Sequence, residues 1–199
     1  MNQNPNWQQA RQSAQSVAPN NLLARLRADT RGAHEALDQA FAPFQADPAA
    51  HLRSFLAAQM AGLTALSSSA KLPHNPASLS LLSEMLDRLA QDCQQMAIPV
   101  PVVRPRSGLH PLAVAYLVIG SRLGTEVLRR TLVASGTERI PLYFAPQDYK
   151  VAWQGLCAEL SAQSAAGALA DDVCDGVIAG FELFHSAARL TRETTGKLA

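Results

Sequence analysis

The sequence predicts an all-α protein, a compact single-domain helical array. Apolar residues recur at helical spacing in six segments, and no stretch shows the sustained alternation of a half-buried strand. Some of these segments begin with a capping residue followed by proline, which marks a helix start. With 199 residues and 48% hydrophobic content, the chain can form one domain with a sizeable core, expected over residues 20–199. Residues 1–19 are rich in Asn, Gln and Ser and are expected to form a flexible polar tail.

Capping residues mark the helix starts in the N-terminal half. Asn20 or Asn21 can cap a first helix that is expected to end near Pro43. Asp47-Pro48 and Asn75-Pro76 each place a proline directly after a capping residue, and they predict the second and third helices. A linker is expected between these two helices, from residue 67 to residue 73.

Proline and glycine divide the C-terminal half. Residues 98–108 contain three prolines and no helical period, which predicts an extended connection. Pro111 opens a fourth helix that ends near Ser135, with Gly136 as its stop. A fifth helix is predicted over 146–164 and a sixth over 168–195. The side chains predicted to point inward from these two helices are Val151, Leu156 and Leu160, then Val173, Val177, Phe181, Phe184 and Ala188.

Net charge and cysteine content indicate which partners and which cellular compartment to expect. The formal net charge is +1, which gives no broad field for nucleic acid or a membrane surface, so neither partner is expected. Cys93, Cys157 and Cys174 are far apart and lack CxxC spacing, which is typical of thiols in a reducing compartment. No apolar run of membrane-spanning length and no signal-peptide pattern stand out, so we expect a cytoplasmic protein that is a monomer.

One face of the first helix carries candidate ligand-binding residues. Arg27, Arg31, His34 and Asp38 lie at i, i+4, i+7 and i+11, beside an apolar stripe. One histidine with two arginines behind it and a carboxylate ahead suits an anionic, flat, iron-bearing ligand. The imidazole binds the metal and the arginines pair with carboxylates. The competing interpretation is a histidine at the polar rim of the helix.

The fourth helix carries two glycines on one face. Gly120 and Gly124 are four residues apart, in line with Tyr116. Each glycine inside a helix costs roughly 1 kcal/mol relative to alanine. Two of them on one face indicate a close approach to the backbone, either by another helix or by a planar ligand.

Together these two segments resemble the heme oxygenase family. The matching residues of the first segment are Leu26, Arg27, Thr30, Arg31, His34 and Asp38. Those of the second segment are Tyr116, Gly120, Ser121, Leu123 and Gly124. The separation of the two motifs and the chain length also suit the family, and the resemblance covers residues 20–195.

The resemblance implies an activity and an iron ligand. Heme is both substrate and cofactor, and it is cleaved to biliverdin, carbon monoxide and iron. The electrons come from an external donor such as a ferredoxin or a flavoprotein reductase. His34 is implied as the proximal ligand of the heme iron. Asp38 is expected to hold the other imidazole nitrogen directly or through water, whereas Glu35 is expected to lie off this face.

The resemblance also implies the residues around the ring. Arg27 and Arg31, with Lys150 as a third residue, are implied to pair with the heme propionates. Gly120 and Gly124 are implied to lie across the face of the ring opposite the iron ligand.

At three positions the chain departs from the family pattern. Many bacterial members have Glu at the position of Ile119. They have Gly or Ala at the position of Thr125, and an arginine at the position with which Gln154 aligns. These departures bear on catalysis more than on the fold. We expect the Thr125 side chain to face a neighbouring helix, with its hydroxyl bonded to a carbonyl one turn back.

Other function classes fit the sequence less well. The closest is a non-catalytic heme-binding or sensing protein on the same fold, which the three departures favour. A carboxylate-bridged di-metal oxidase needs a Glu-x-x-His pair on each of two helices, and Glu182-x-x-His185 is the only such pair. A cysteine-nucleophile hydrolase is disfavoured because Cys157 and Cys174 have apolar neighbours. His110 is expected to cap a helix or lie in a loop.

Overall fold

A computed structural model describes residues 19–71, 76–137 and 139–196, and in these ranges it confirms the all-α fold. This part of the chain contains seven α-helices and one short 3-10 turn, and no strand. The helices are α1 Leu22–Asp29, α2 Arg31–Ala46, α3 Pro48–Ser69, α4 Pro76–Gln95, α5 Pro111–Ala134, α6 Lys150–Ala162 and α7 Ala168–Gly196, with the turn at Leu142–Phe144. The predicted polar tail, apart from its last residue, lies outside the described residues, as does the predicted cap Asn75.

The first predicted helix begins as expected but extends further. Asn21 caps α1 by accepting a hydrogen bond from the Ala24 backbone N–H at 2.9 Å. At the other end, α2 continues past Pro43 and ends at Ala46. The last turn is closed by the Asp47 backbone N–H, which donates to the Pro43 carbonyl at 3.0 Å. A proline near the end of a helix therefore does not terminate it here.

Thr30 divides this predicted helix into α1 and α2. Its side chain is buried, and its hydroxyl donates to the Leu26 carbonyl at 2.7 Å. A hydroxyl bonded to a carbonyl one turn back often bends a helix. The first motif spans the division, because Arg27 belongs to α1 and His34 to α2.

Helix α3 is the central helix and packs against α2, α4, α5 and α7. Asp47 caps it by accepting a hydrogen bond from the Ala50 backbone N–H at 3.0 Å, as predicted. The predicted linker begins too early, because α3 continues beyond Ser67 to Ser69. The buried Ser69 hydroxyl donates to the Ala65 carbonyl at 2.6 Å, which satisfies it inside the helix.

An acidic side chain on α4 holds the 3-10 turn against the core. The buried Asp92 carboxylate accepts the backbone N–H groups of Leu142 and Tyr143, each at 2.8 Å. Tyr143 and Phe144 are fully buried, and the Phe144 ring stacks 5.8 Å from that of Phe55 on α3. This turn was not predicted from the sequence, because three residues are too few to show a helical period.

Helix α5 has the predicted bounds and a membrane-like composition. His110 caps it by accepting the Leu112 backbone N–H on Nδ1 at 3.1 Å, and Gly136 follows it with φ +76°. By length and composition α5 could cross a membrane, with a mean hydropathy of 1.3 over its most apolar stretch. This departs from the sequence expectation, but 44% of that stretch is buried in the fold, and core helices pass the same test.

Helix α6 is shorter than predicted. It begins at Lys150 rather than at Pro146, because residues 145–149 form an irregular connection. Leu156 and Leu160 are buried as predicted, but Val151 is 75% exposed and does not point inward.

Helix α7 packs closely against α3 and α5. A Cβ atom on Gly62 of α3 would overlap the ring of Phe184, and one on Gly180 would overlap the side chain of Leu117. A larger residue at either crossing therefore requires the Phe184 ring or the Leu117 side chain to shift. Phe181, predicted inward, is only half-buried, and the other four residues predicted inward are buried as expected: Val173, Val177, Phe184 and Ala188.

Candidate functional site

A cavity of about 360 Å³ opens where α1, α2, α5 and α7 meet. Its lining residues are Arg27, Thr30, Arg31, His34, Glu35 and Asp38 from α1 and α2, with Tyr116 from α5 and Phe181 from α7. The structure therefore brings the five polar residues of the first motif to one cavity, despite the division at Thr30.

His34 is oriented by its neighbours on two sides. Its Nδ1 lies 3.0 Å from Asp38 Oδ2, so the carboxylate holds one ring nitrogen directly. Phe181 meets the imidazole edge to face, with ring centroids 5.4 Å apart. The side chains of His34 and Asp38 are both 59% exposed, so the ring is accessible from the cavity. With Nδ1 bonded to Asp38, Nε2 is the nitrogen available to a metal.

Tyr116 joins α5 to the arginine side of the cavity. Burial raises the pKa of the Tyr116 hydroxyl, and the Arg27 cation, which also hydrogen-bonds it, partly opposes this shift. The hydroxyl therefore keeps its proton at neutral pH. Arg31 lines the same cavity and is exposed.

Glu35 corrects the sequence analysis. It lines the cavity, although it was expected to lie off the face of His34 and Asp38. Successive helical residues are about 100° apart, and an open cavity accepts side chains over that angle. The lining therefore carries two arginines and two carboxylates.

The two glycines of α5 do not line this cavity. A Cβ atom on Gly120 would lie 3.3 Å from Cζ3 of Trp153, so its close neighbour is an indole of α6. Gly124 is exposed, and a Cβ there would meet nothing within 4 Å. In this structure the close approach at Gly120 is thus helix packing, and neither glycine is among the residues that line the cavity around His34.

Lys150 and Gln154 also lie away from the cavity lining. Lys150 is exposed at the first position of α6, and Gln154 is exposed one turn later. The α6 residue that approaches the second motif is Trp153, whose ring lies 5.6 Å from that of Tyr116. Trp153 comes three residues after Lys150 in the sequence, and this was the only signal that could have indicated its role.

Thr125 has the predicted orientation. It is 4% exposed, and its hydroxyl donates to the Ser121 carbonyl, one turn back, at 2.9 Å. The same hydroxyl lies 3.5 Å from the Tyr143 hydroxyl in the core. Ile119 is also buried, so neither of these departures contacts the cavity around His34.

The competing metal and thiol sites are not assembled in the described ranges. Within these ranges, no three His, Cys, Asp or Glu side chains are grouped to hold a metal ion. Glu182 instead accepts a hydrogen bond from Arg106 at 2.6 Å. Burial raises the pKa of Cys93 and of Cys174, which keeps these thiols protonated.

Comparison with known proteins gives no relative for this chain. No protein-family model matches it, and no curated protein or solved structure matches it either. A function for this chain is therefore inferred from its own residues and from the cavity around His34.

Proposed function

We propose that this protein binds heme through His34 and cleaves it oxidatively to biliverdin, carbon monoxide and iron. The observation that carries the proposal is the convergence of Arg27, Arg31, His34 and Asp38 on one cavity. These are polar residues of the motif that resembles the heme oxygenase family. We also propose a cytoplasmic monomer that receives electrons from a ferredoxin or a flavoprotein reductase.

The donor set fits heme iron better than a free metal ion. The porphyrin would supply most of the ligands of heme iron, so a single protein imidazole would be sufficient to hold it. His34 offers Nε2 for this bond while Asp38 holds Nδ1 at 3.0 Å. A hydrogen bond to the far nitrogen fixes the ring orientation and makes the ligand more basic. Phe181 also contacts the same ring, edge to face.

Apart from Glu35, the rest of the cavity presents cationic and aromatic side chains, which suit an anionic, largely apolar molecule. Arg27 and Arg31 offer charge-assisted hydrogen bonds to two propionates. Tyr116 and Phe181 supply aromatic surface for the macrocycle. The volume of about 360 Å³ lies within the range of about 300–1,000 Å³ that is typical of small-molecule sites. When bound, heme supplies the redox-active iron, and this chain binds and orients it.

A second candidate function is heme binding without turnover. Trp153 favours it, because the indole is packed against Gly120, on the helix face that the resemblance assigns to the ring. A ligand that needs this face has to displace the indole. Heme held only by the His34 side would serve transport or sensing.

Addition of hemin to the purified protein, with and without a reductant, separates these functions. We expect a Soret band that saturates at one heme per chain, and its replacement by a bilin spectrum when reductant and oxygen are supplied. A stable Soret band with no bilin would support the second candidate. No spectral change on adding hemin would contradict both.

A further inference from the structure

Arg122, on the core side of α5, is a buried cation with unused hydrogen-bond donors. The residue is 4% exposed. Its Nη2 donates to the Tyr143 carbonyl at 3.2 Å, and its guanidinium carbon lies 5.1 Å from the centre of the Tyr143 ring. Its Nε and Nη1 are buried and have no hydrogen-bond partner among the described residues. Arginine cannot lose its proton inside a protein, so this charge stays in the core.

The protein groups around Arg122 leave its charge uncompensated. Among the described residues, no carboxylate lies within ion-pair distance of it. Its charged neighbours are Glu84 and Arg88, which pair with each other on α4. Burial is the main cause that lowers the pKa of Arg122, and the Arg88 cation adds to it. The three side chains together therefore carry a net charge of +1.

The connection after the 3-10 turn holds a further buried polar group without a partner. Both amide atoms of Gln147, Nε2 and Oε1, are buried and have no partner in the described part of the chain. Gln147 lies four residues after Tyr143, whose carbonyl Arg122 contacts, and two after Ala145, whose carbonyl accepts a hydrogen bond from Arg88 at 3.0 Å. Unsatisfied buried polar groups are rare in native proteins and indicate a missing partner such as a water or an ion.

We propose that a small monovalent anion, of the size of chloride or nitrate, binds at the Arg122 guanidinium beside Tyr143. A water molecule can accept the two unused N–H groups, but it leaves the buried positive charge in place. An anion satisfies the donors and also offsets the charge, and uncompensated buried ions are strongly unfavourable. This site does not depend on the cavity around His34, because Arg122 does not line that cavity.

Thermal unfolding at constant ionic strength tests the site. Sodium gluconate, whose anion is too large for a buried site, is replaced stepwise by sodium chloride or sodium nitrate. We expect the unfolding midpoint of the wild type to rise and saturate, by about 5–10 °C at one hundred times the Kd. Arg122→Met should abolish this rise. Arg130→Met, which removes an exposed arginine of the same helix, should retain it.

A crystal soaked in sodium bromide provides a second measurement, which does not require the Arg122→Met variant to fold. We expect an anomalous bromide peak in hydrogen-bond contact with the Arg122 guanidinium. Three results would overturn the proposal: a wild-type midpoint that is equal in chloride and gluconate, the same rise in Arg122→Met, or water alone beside the guanidinium.

Discussion

Trp153 occupies the space into which a side chain at Gly120 would project: Cζ3 of the indole would lie 3.3 Å from a Cβ atom on Gly120. The glycine thus has a structural role in the contact between α5 and α6. Gly124, one turn later on the same face, has no such neighbour. The difference between these two glycines allows their packing role to be tested separately from any ligand.

Alanine at Gly124 should stabilise the protein. An added Cβ meets nothing there, so we expect Gly124→Ala to raise the free energy of unfolding by roughly 0.5–1 kcal/mol through helix propensity. Gly120→Ala should raise the free energy of unfolding by less, because the added Cβ crowds the Trp153 indole. Urea unfolding of both variants measures the difference. An equal gain at the two positions would show that Trp153 does not constrain Gly120.

Removal of the Asp92 carboxylate should destabilise the fold strongly. Asp92→Ala leaves the backbone N–H groups of Leu142 and Tyr143 without acceptors, and each such loss costs about 1–3 kcal/mol. Asp92→Asn keeps one acceptor oxygen and should cost less. Asp29→Ala, at an exposed ion pair, is the surface control and should change stability by less than about 1 kcal/mol. Similar unfolding midpoints for all three variants in urea would contradict this role.

Replacement of Thr125 should affect stability and leave heme binding unchanged. Thr125→Gly loses roughly 0.3 kcal/mol of helix propensity, because threonine is itself a weak helix former, and it also removes a buried side chain, so we expect a total loss of about 1–2 kcal/mol. Thr125→Val keeps the volume and removes only the hydroxyl. The free energy of unfolding in urea and the affinity for hemin are measured on the same samples. A large gain in bilin formation by Thr125→Gly would show that Thr125 restricts the active site.

Replacement of Arg27 and Arg31 should weaken hemin binding. If each pairs with a propionate, the double alanine variant should raise the Kd at least about tenfold, since about 1.4 kcal/mol corresponds to one decade. The Arg130/Arg189 double alanine variant removes two exposed arginines that lie outside the cavity and serves as the charge-matched control. Unchanged affinity in the double variant would show that the two arginines only solvate the helix surface.

Interactions between residues close in sequence were predicted better than contacts between residues distant in sequence. The approach of His34 to Asp38 follows from their i, i+4 spacing in one helix. The caps at Asn21 and Asp47 were predictable in the same way. Each of these interactions joins residues that are close in sequence, so a single helical period fixes their geometry.

The features that sequence analysis missed join residues distant in sequence. Asp92 and Tyr143 are separated by 51 positions, and no local pattern pairs a buried carboxylate with two backbone N–H groups of a later turn. The contact of Trp153 with Gly120 depends on how α6 lies against α5. Both contacts depend on how separate segments of the chain pack together, which the helical period does not encode.

The most direct test of the central proposal is the hemin spectrum of His34→Ala compared with that of His51→Ala. His51 is an exposed histidine of α3, so its variant controls for the loss of an imidazole at the surface. We expect His51→Ala to give the wild-type Soret band, and His34→Ala to lose it or to recover it only with added imidazole. A His34→Ala spectrum identical to that of the wild type would contradict His34 as the iron ligand.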